Sequence, residues 1–208
     1  MSRPTPTRLY LVRHGEVEER YHRIFGGRID MNLSSEGSAQ ASRLADYLKT
    51  QSLHGAYASP MKRVHQTFAP FTAAGGHQPR IMNDLREVDF GDWTGLGWEE
   101  VREKFGKRAS DWLELLEHGA IPNAESAHGY RARVQPCLRH ILAEHEAENI
   151  AVFCHGGVVR QLLALLLELP LSRMRMFEID YASVTIVDWL PDHTEIQLLN
   201  FAPWRDRS

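Results

Sequence analysis

Cysteine is scarce in this chain. Cys137 and Cys154 are its two thiols and neither sits in a Cys-x-x-Cys pair, so neither a disulfide framework nor a thiolate zinc site is expected. Long apolar runs are also missing: the longest, Leu162–Leu167, is closed by Arg160-Gln161 and Glu168, far short of the ~20 residues that span a bilayer. The opening Met-Ser-Arg-Pro-Thr-Pro-Thr-Arg has charge with no apolar core behind it, so no secretory leader is expected. No single sign of charge dominates. The 24 Lys+Arg and 27 Asp+Glu leave a net charge of −3, whereas a general nucleic-acid binder carries a basic surplus. There is no internal repeat, linker or low-complexity stretch.

What remains is a chain of 208 residues, 43% hydrophobic and 25% charged, the balance of a globular protein rather than a disordered or fibrous one. That length suits one large α/β domain over 1–208. A cytoplasmic protein without membrane or nucleic-acid partners is the expectation, and a homodimer is left open.

Two continuous apolar segments, Leu9-Tyr10-Leu11-Val12 and Ile150-Ala151-Val152-Phe153-Cys154, read as central strands of a parallel sheet covered on both faces. Ala41, Leu44, Ala45 and Leu48 keep helical spacing behind a candidate N-cap, Ser34, with Glu36 in the first turn. Val134, Leu138, Ile141, Leu142 and His145 form a second stripe. Pro136 inside it predicts a kink or a helix that starts later. Val158 to Leu167 predicts a buried helix stopped before Pro170. Val184-Thr185-Ile186 and Glu195-Ile196-Gln197-Leu198, with Pro191-Asp192-His193 between them, predict a C-terminal hairpin. The Gly- and Trp-rich stretch at about 89–121 reads as a helical excursion over one end of the sheet. The order of elements predicts a three-layer α/β/α domain on a mostly parallel sheet.

Ligands of open α/β sheets bind beyond the carboxyl ends of the strands. Arg13-His14-Gly15 and His155-Gly156-Gly157 both follow a buried strand directly. Ala58-Ser59-Pro60-Met61-Lys62-Arg63 joins a short strand to a helix, and Leu85-Arg86-Glu87 follows the apparent strand Arg80-Ile81-Met82. Two histidines, two arginines and a carboxylate at strand ends suit phosphoryl transfer. Guanidinium forks match phosphate oxygens, a neutral imidazole attacks phosphorus, and a carboxyl moves the proton. A metal site is the rival reading, but no His-Glu-x-x-His spacing exists and arginine beside a ligand histidine repels a cation. The other nine histidines (His22, His54, His65, His77, His118, His128, His140, His145 and His193) read as surface or satisfied core residues. Asp84, Asp89 and Asp92 compete with Glu87 for the acid role.

These motifs together resemble the histidine phosphatase superfamily, in the branch of phosphoglycerate mutase. Leu11-Val12-Arg13-His14-Gly15-Glu16 is similar to its Arg-His-Gly motif. Gly27-Arg28-Ile29-Asp30-Met31-Asn32-Leu33-Ser34 looks like its G-x-x-D-x-x-L-[ST], and Ser59 through Thr67 like its S-x-x-x-R-A-x-Q-T. Leu85-Arg86-Glu87 with Phe90-Gly91-Asp92-Trp93, then Glu125-Ser126 with Arg133-Val134, and finally His155-Gly156-Gly157 complete the family's order. The resemblance implies a phosphoglycerate mutase-like fold and a metal-independent acid or neutral phosphatase with no cofactor, acting on a small phosphorylated metabolite. It implies His14 as the nucleophile that becomes phosphohistidine and Glu87 as proton donor, then acceptor. Arg13, Arg63 and His155 would hold the phosphoryl oxygens. Arg20, Phe25 and Gly27 are the expected substrate contacts, with Phe25, Trp93 and Trp98 as aromatic candidates that packing alone could also explain.

The chain departs from the family pattern at Val17, where Ser or Thr is usual, at Arg20, where relatives often have a phosphate-contacting Asn, and at Val64 in place of Ala. Glu87 is followed by the compact Val88-Asp89-Phe90-Gly91-Asp92-Trp93, without the insertion of the cofactor-dependent phosphoglycerate mutases. Intact His14, Glu87 and His155 disfavour a catalytically silent binding protein. Phe90-Gly91-Asp92-Trp93, His118-Gly119-Ala120-Ile121-Pro122 and Phe177-Glu178-Ile179-Asp180 resemble the α-ribazole phosphatases, and phosphatases of broad sugar-phosphate range share such stretches.

Overall fold

The structure is a computed structural model that describes residues 4–206. Met1-Ser2-Arg3, where the expectation about a leader begins, lie outside the described residues. The chain runs β1 (Thr7–Arg13), α1 (Ser35–Leu48), β2 (Gly55–Ala58), α2 (Lys62–Ala73), β3 (Arg80–Ile81), α3 (Trp98–Phe105), α4 (Trp112–Glu117), α5 (Ala127–Glu144), β4 (Asn149–Cys154), α6 (Gly156–Leu166), β5 (Val184–Trp189), β6 (Thr194–Phe201) and α7 (Pro203–Asp206).

The strands form one sheet in the order β3-β2-β4-β1-β5-β6. The first four are mutually parallel. β5 runs antiparallel to β1, and β6 antiparallel to β5, closing the C-terminal hairpin. Because side chains alternate across a strand, β1 and β4 feed two cores. Leu9, Leu11, Ile150 and Val152 pack with α5, α6 and the excursion on one face. Tyr10, Val12, Ala151 and Phe153 pack with α1 and α2 on the other. All eight are buried, and each large apolar side chain so placed contributes roughly 1.5–3 kcal/mol. The three-layer expectation holds, since a strand buried on both faces cannot afford the polar alternation of a half-exposed one.

Ser34 caps α1, its hydroxyl accepting from the Gly37 amide at 2.9 Å. Of the two alternatives expected at Pro136, the late start is corrected: α5 begins at Ala127 behind the cap Ser126 and runs through Pro136 to Glu144. A proline costs the interior of a helix one hydrogen bond. Tyr130, Val134, Cys137, Leu138 and Ile141 are all buried along one face of this helix, and that burial outweighs the loss. The excursion consists of α3, α4 and 3₁₀ turns at Gly91–Trp93 and Ala109–Asp111, and Trp98, Ala109, Ser110 and Trp112 border a cavity at the strand ends. Among the described residues no helix is long and apolar enough to cross a membrane.

Candidate active site

β1 and β4 are in register, with Arg13 opposite Cys154, so the residues that follow them emerge side by side. His14 is buried. Its Nδ1 lies 2.8 Å from the Gly15 carbonyl, and a carbonyl only accepts, so Nδ1 carries the proton. Nε2 is left with its lone pair and accepts from Nε of Arg63 at 3.2 Å. Burial first, then the charges of Arg63 and Arg13, hold the His14 imidazole well below its usual pKa. The ring is therefore neutral at neutral pH.

Arg63 belongs to the first turn of α2 and is almost wholly buried. Its Nη1 donates to the Ile29 carbonyl at 2.7 Å and its Nη2 to the Gly27 carbonyl at 2.9 Å. Those bonds aim the guanidinium at His14. Burial pulls its pKa down to about 10, which leaves it charged at neutral pH. Arg13 donates from Nη1 to the Ile179 carbonyl at 2.6 Å and stacks 3.9 Å from the Tyr181 ring centre. Its Nε is buried without a partner among the described residues.

His155 lies behind this wall, fully buried, its ring centre 5.3 Å from that of His14. The Ser59 hydroxyl is 2.8 Å from its Nε2 and also accepts from the Met61 amide at 3.4 Å. The His155 Nδ1 is buried with no partner among the described residues, and a buried polar atom left unpaired costs about 1–3 kcal/mol. Burial first, then Arg63 and His14, lower the His155 pKa well below its ordinary value.

Glu87 reaches the site from the loop after β3. Its Oε2 accepts from the Gly157 amide at 3.0 Å and its Oε1 from the Val88 amide at 3.0 Å. A Cβ at position 157 would stand 2.3 Å from Oε1, so glycine is needed for the carboxylate to dock on the start of α6. Arg133 holds the loop from outside. It donates to the carbonyls of Arg86 and Glu87 at 2.7 and 3.2 Å and pairs with Glu125 at 2.6 Å.

Arg13, His14, Arg63 and Glu87 line one cavity of about 360 Å³. Phe25 and Gly27 also border it. Gly27 takes part through its carbonyl, which orients Arg63. Arg20 is not brought to the cavity. It is exposed, pairs with Glu18 at 3.2 Å and lies over the Tyr21 ring. Trp93 is fully buried in the core, stacked against Phe25, and does not face the cavity. His155 contributes from below the surface. Glu87 is the only carboxylate on the wall, and among the described residues no group of three or more His, Cys, Asp or Glu is gathered as metal ligands would be.

Two wall residues have no counterpart in the sequence expectations. Tyr181 packs against both Arg13 and His14. Arg160 sits one helical turn after Gly156, with Nη1 on the Gly156 carbonyl at 3.2 Å and Nη2 on the Phe177 carbonyl at 3.1 Å. A Cβ on Gly156 would touch both Arg13 Nε and Arg160 Nη1 at 3.4 Å, so the bare glycine lets two guanidinium groups flank it. The i,i+4 spacing of Gly156 and Arg160 was the available signal.

Comparison with known proteins gives the same picture. The chain is 30% identical over 180 residues to phosphoserine phosphatase 1 of Hydrogenobacter thermophilus, covering 86% of this chain and 85% of the relative. It is 26% identical over 200 residues to the adenosylcobalamin/α-ribazole phosphatase of Salmonella typhimurium, covering 95% and 98%. The crystal structure of the α-ribazole phosphatase from Shigella flexneri superposes with a TM-score of 0.81 at 25% identity, over 94% of this chain and 97% of that one. With the family description matching residues 9–202, the chain belongs to branch 1 of the histidine phosphatase superfamily.

Proposed function

We propose that this protein hydrolyses small phosphomonoesters through a phosphohistidine at His14. The observation that carries the reading is the fixed tautomer of His14: its Nδ1 proton is given to the Gly15 carbonyl, and its Nε2 lone pair is presented to Arg63. A phosphoryl group in the cavity takes the guanidinium donors of Arg13 and Arg63, with His155, whose Nδ1 has no partner among the described residues, behind it. Nε2 attacks phosphorus as the P–O bond to the alcohol breaks, and the Glu87 carboxyl delivers a proton to the departing oxygen. The alcohol leaves. Water then attacks the phosphohistidine, Glu87 takes its proton, and inorganic phosphate departs with Nε2 restored. Fixed donors aimed at the transferring oxygens carry the charge stabilisation in this scheme, so catalysis needs no metal.

The substrate reading follows the relatives. Names among them point to α-ribazole 5′-phosphate and to phosphoserine, and we place this chain with the phosphatases of α-ribazole 5′-phosphate or sugar phosphates. The test is turnover of p-nitrophenyl phosphate with and without chelator, followed by a panel of monoesters. Hydrolysis insensitive to chelator supports the scheme. Activity abolished by chelator and restored by one divalent ion contradicts it.

A further inference from the structure

Charge is unevenly distributed around the cavity. Besides the His14 imidazole and tyrosine hydroxyls, its ionisable lining consists of Arg13, Arg63, Arg160 and Glu87. All four sit at the inner end: Arg63 on His14, Arg13 and Arg160 on either side of Gly156, and Glu87 on Gly157. A phosphate dianion at the inner end engages this positive charge first. Two of the five N–H groups of Arg160 already serve the Gly156 and Phe177 carbonyls.

The outer wall has a different chemistry. Tyr21, Phe25, Phe90, Trp98 and Trp112 line it, joined by Ile24. Phe25, Phe90 and Trp112 pack on one another edge to face, at 4.8 and 5.2 Å. Trp98 does not join them. It opens α3, is 51% exposed, and has no stacked ring among the described residues. Trp98 thus presents an exposed indole at the mouth of the cavity. Beside it a side cleft, bordered by Trp98 itself, holds Arg13 and Arg23 with His22 and Glu16, ionisable groups of both signs.

We propose that the leaving-group side of this cavity accepts an uncharged, ring-bearing alcohol and discriminates against phosphomonoesters whose alcohol carries a carboxylate. The proposal rests on the reading above that the phosphoryl group sits at His14. A flat ring lies on Trp98 and covers the aromatic wall, exchanging apolar surface for water. A carboxylate laid against the aromatic wall loses hydration that the rings do not replace.

The test separates this subsite from the chemistry. Primary alkyl esters keep leaving-group basicity similar, so kcat/KM is compared for 2-phenylethyl phosphate, ethyl phosphate, phosphoserine and phosphoglycolate. In parallel, affinities are measured for two phosphonates that cannot turn over, 3-phenylpropylphosphonate and 3-phosphonopropionate. The phenyl ester is expected to exceed ethyl phosphate by about tenfold or more, the scale of a filled apolar pocket, with both carboxylate esters falling below ethyl phosphate. The phenyl phosphonate is expected to bind about tenfold more tightly than the carboxylate one. Trp98→Ala, at a half-exposed position, should shrink both ratios several-fold, and Trp98→Arg should reverse the phosphonate preference. Equal or tighter binding of 3-phosphonopropionate by the wild type overturns the proposal. If the phosphonates rank as expected and no ester is hydrolysed, the subsite stands and the hydrolase reading falls.

Discussion

Nε of Arg63 donates to Nε2 of His14 across 3.2 Å. In the proposed scheme the nitrogen that attacks phosphorus is therefore capped, before substrate arrives, by the same guanidinium that the phosphoryl oxygens would claim. Phosphate binding would then draw the donor away and free the lone pair, so that one residue restrains the resting nucleophile and stabilises the transferring group. Arg63→Ala should cost about 3–4 kcal/mol in kcat/KM, the usual loss for one such donor. Arg63→Lys should recover part of it, since an ammonium lacks the fork that reaches Ile29 and Gly27. Steady-state kinetics on the three proteins decides the point, and full activity in Arg63→Ala removes the residue from the mechanism.

Glu87 is docked on the Gly157 amide, and its work should depend on how much proton the leaving group needs. Glu87→Gln should slow phosphorylation of His14 by an alkyl phosphate about 10²–10⁴-fold, and by p-nitrophenyl phosphate much less. Gly157→Ala should repeat that pattern in weaker form, because the new methyl displaces the carboxylate and leaves His14 in place. Single-turnover rates with both substrates are the measurement. An equal loss for both in Glu87→Gln transfers the acid role to Asp89 or Asp92.

The five strand-end residues were legible because position and residue type coincide there. A buried apolar run fixes where a strand ends, and Arg, His and Glu beyond it have few uses other than chemistry. Arg13, His14, Arg63, Glu87 and His155 do converge within one region of the structure. Arg20 and Trp93 show the boundary of that reasoning: motif spacing does not tell which way a side chain leaves a short turn. Arg20 turns to Glu18, and Trp93 turns into the core. Arg160 was hidden for the opposite reason. In a run as apolar as Val158 to Leu167 it reads as a break in the pattern, and only its stacking over Gly156 gives it a place. The late start expected at Pro136 did not hold because the apolar stripe around it outweighs one lost hydrogen bond.

Arg133 should act on catalysis without touching substrate. It ties the carbonyls of Arg86 and Glu87 to Glu125, and so sets where the Glu87 carboxyl hangs. Arg133→Lys should lower kcat for alkyl phosphates more than it raises KM, and should leave p-nitrophenyl phosphate less affected. A uniform loss across substrates, matched by a lower Tm, would show a purely structural role.

Burial keeps His14 and His155 neutral in the folded protein, whereas in the unfolded chain they protonate below about 6.5. The unfolded state then binds more protons, so stability falls as pH falls. Two such histidines should remove roughly 2–3 kcal/mol between pH 7 and 5.5. Urea titrations in phosphate-free buffer give the slope, and His14→Gln should reduce it by about half. A flat profile in the wild type would contradict the neutral, buried pair.

The central claim is that the phosphoryl group passes through Nε2 of His14. Rapid mixing with a labelled monoester, followed by an alkaline quench, tests it most directly. The account expects acid-labile, alkali-stable label on the protein within the first turnover, mapped to the peptide bearing His14 and absent from His14→Ala. Turnover by the wild type with no label at His14 at any time, and no burst of alcohol ahead of phosphate, would contradict it.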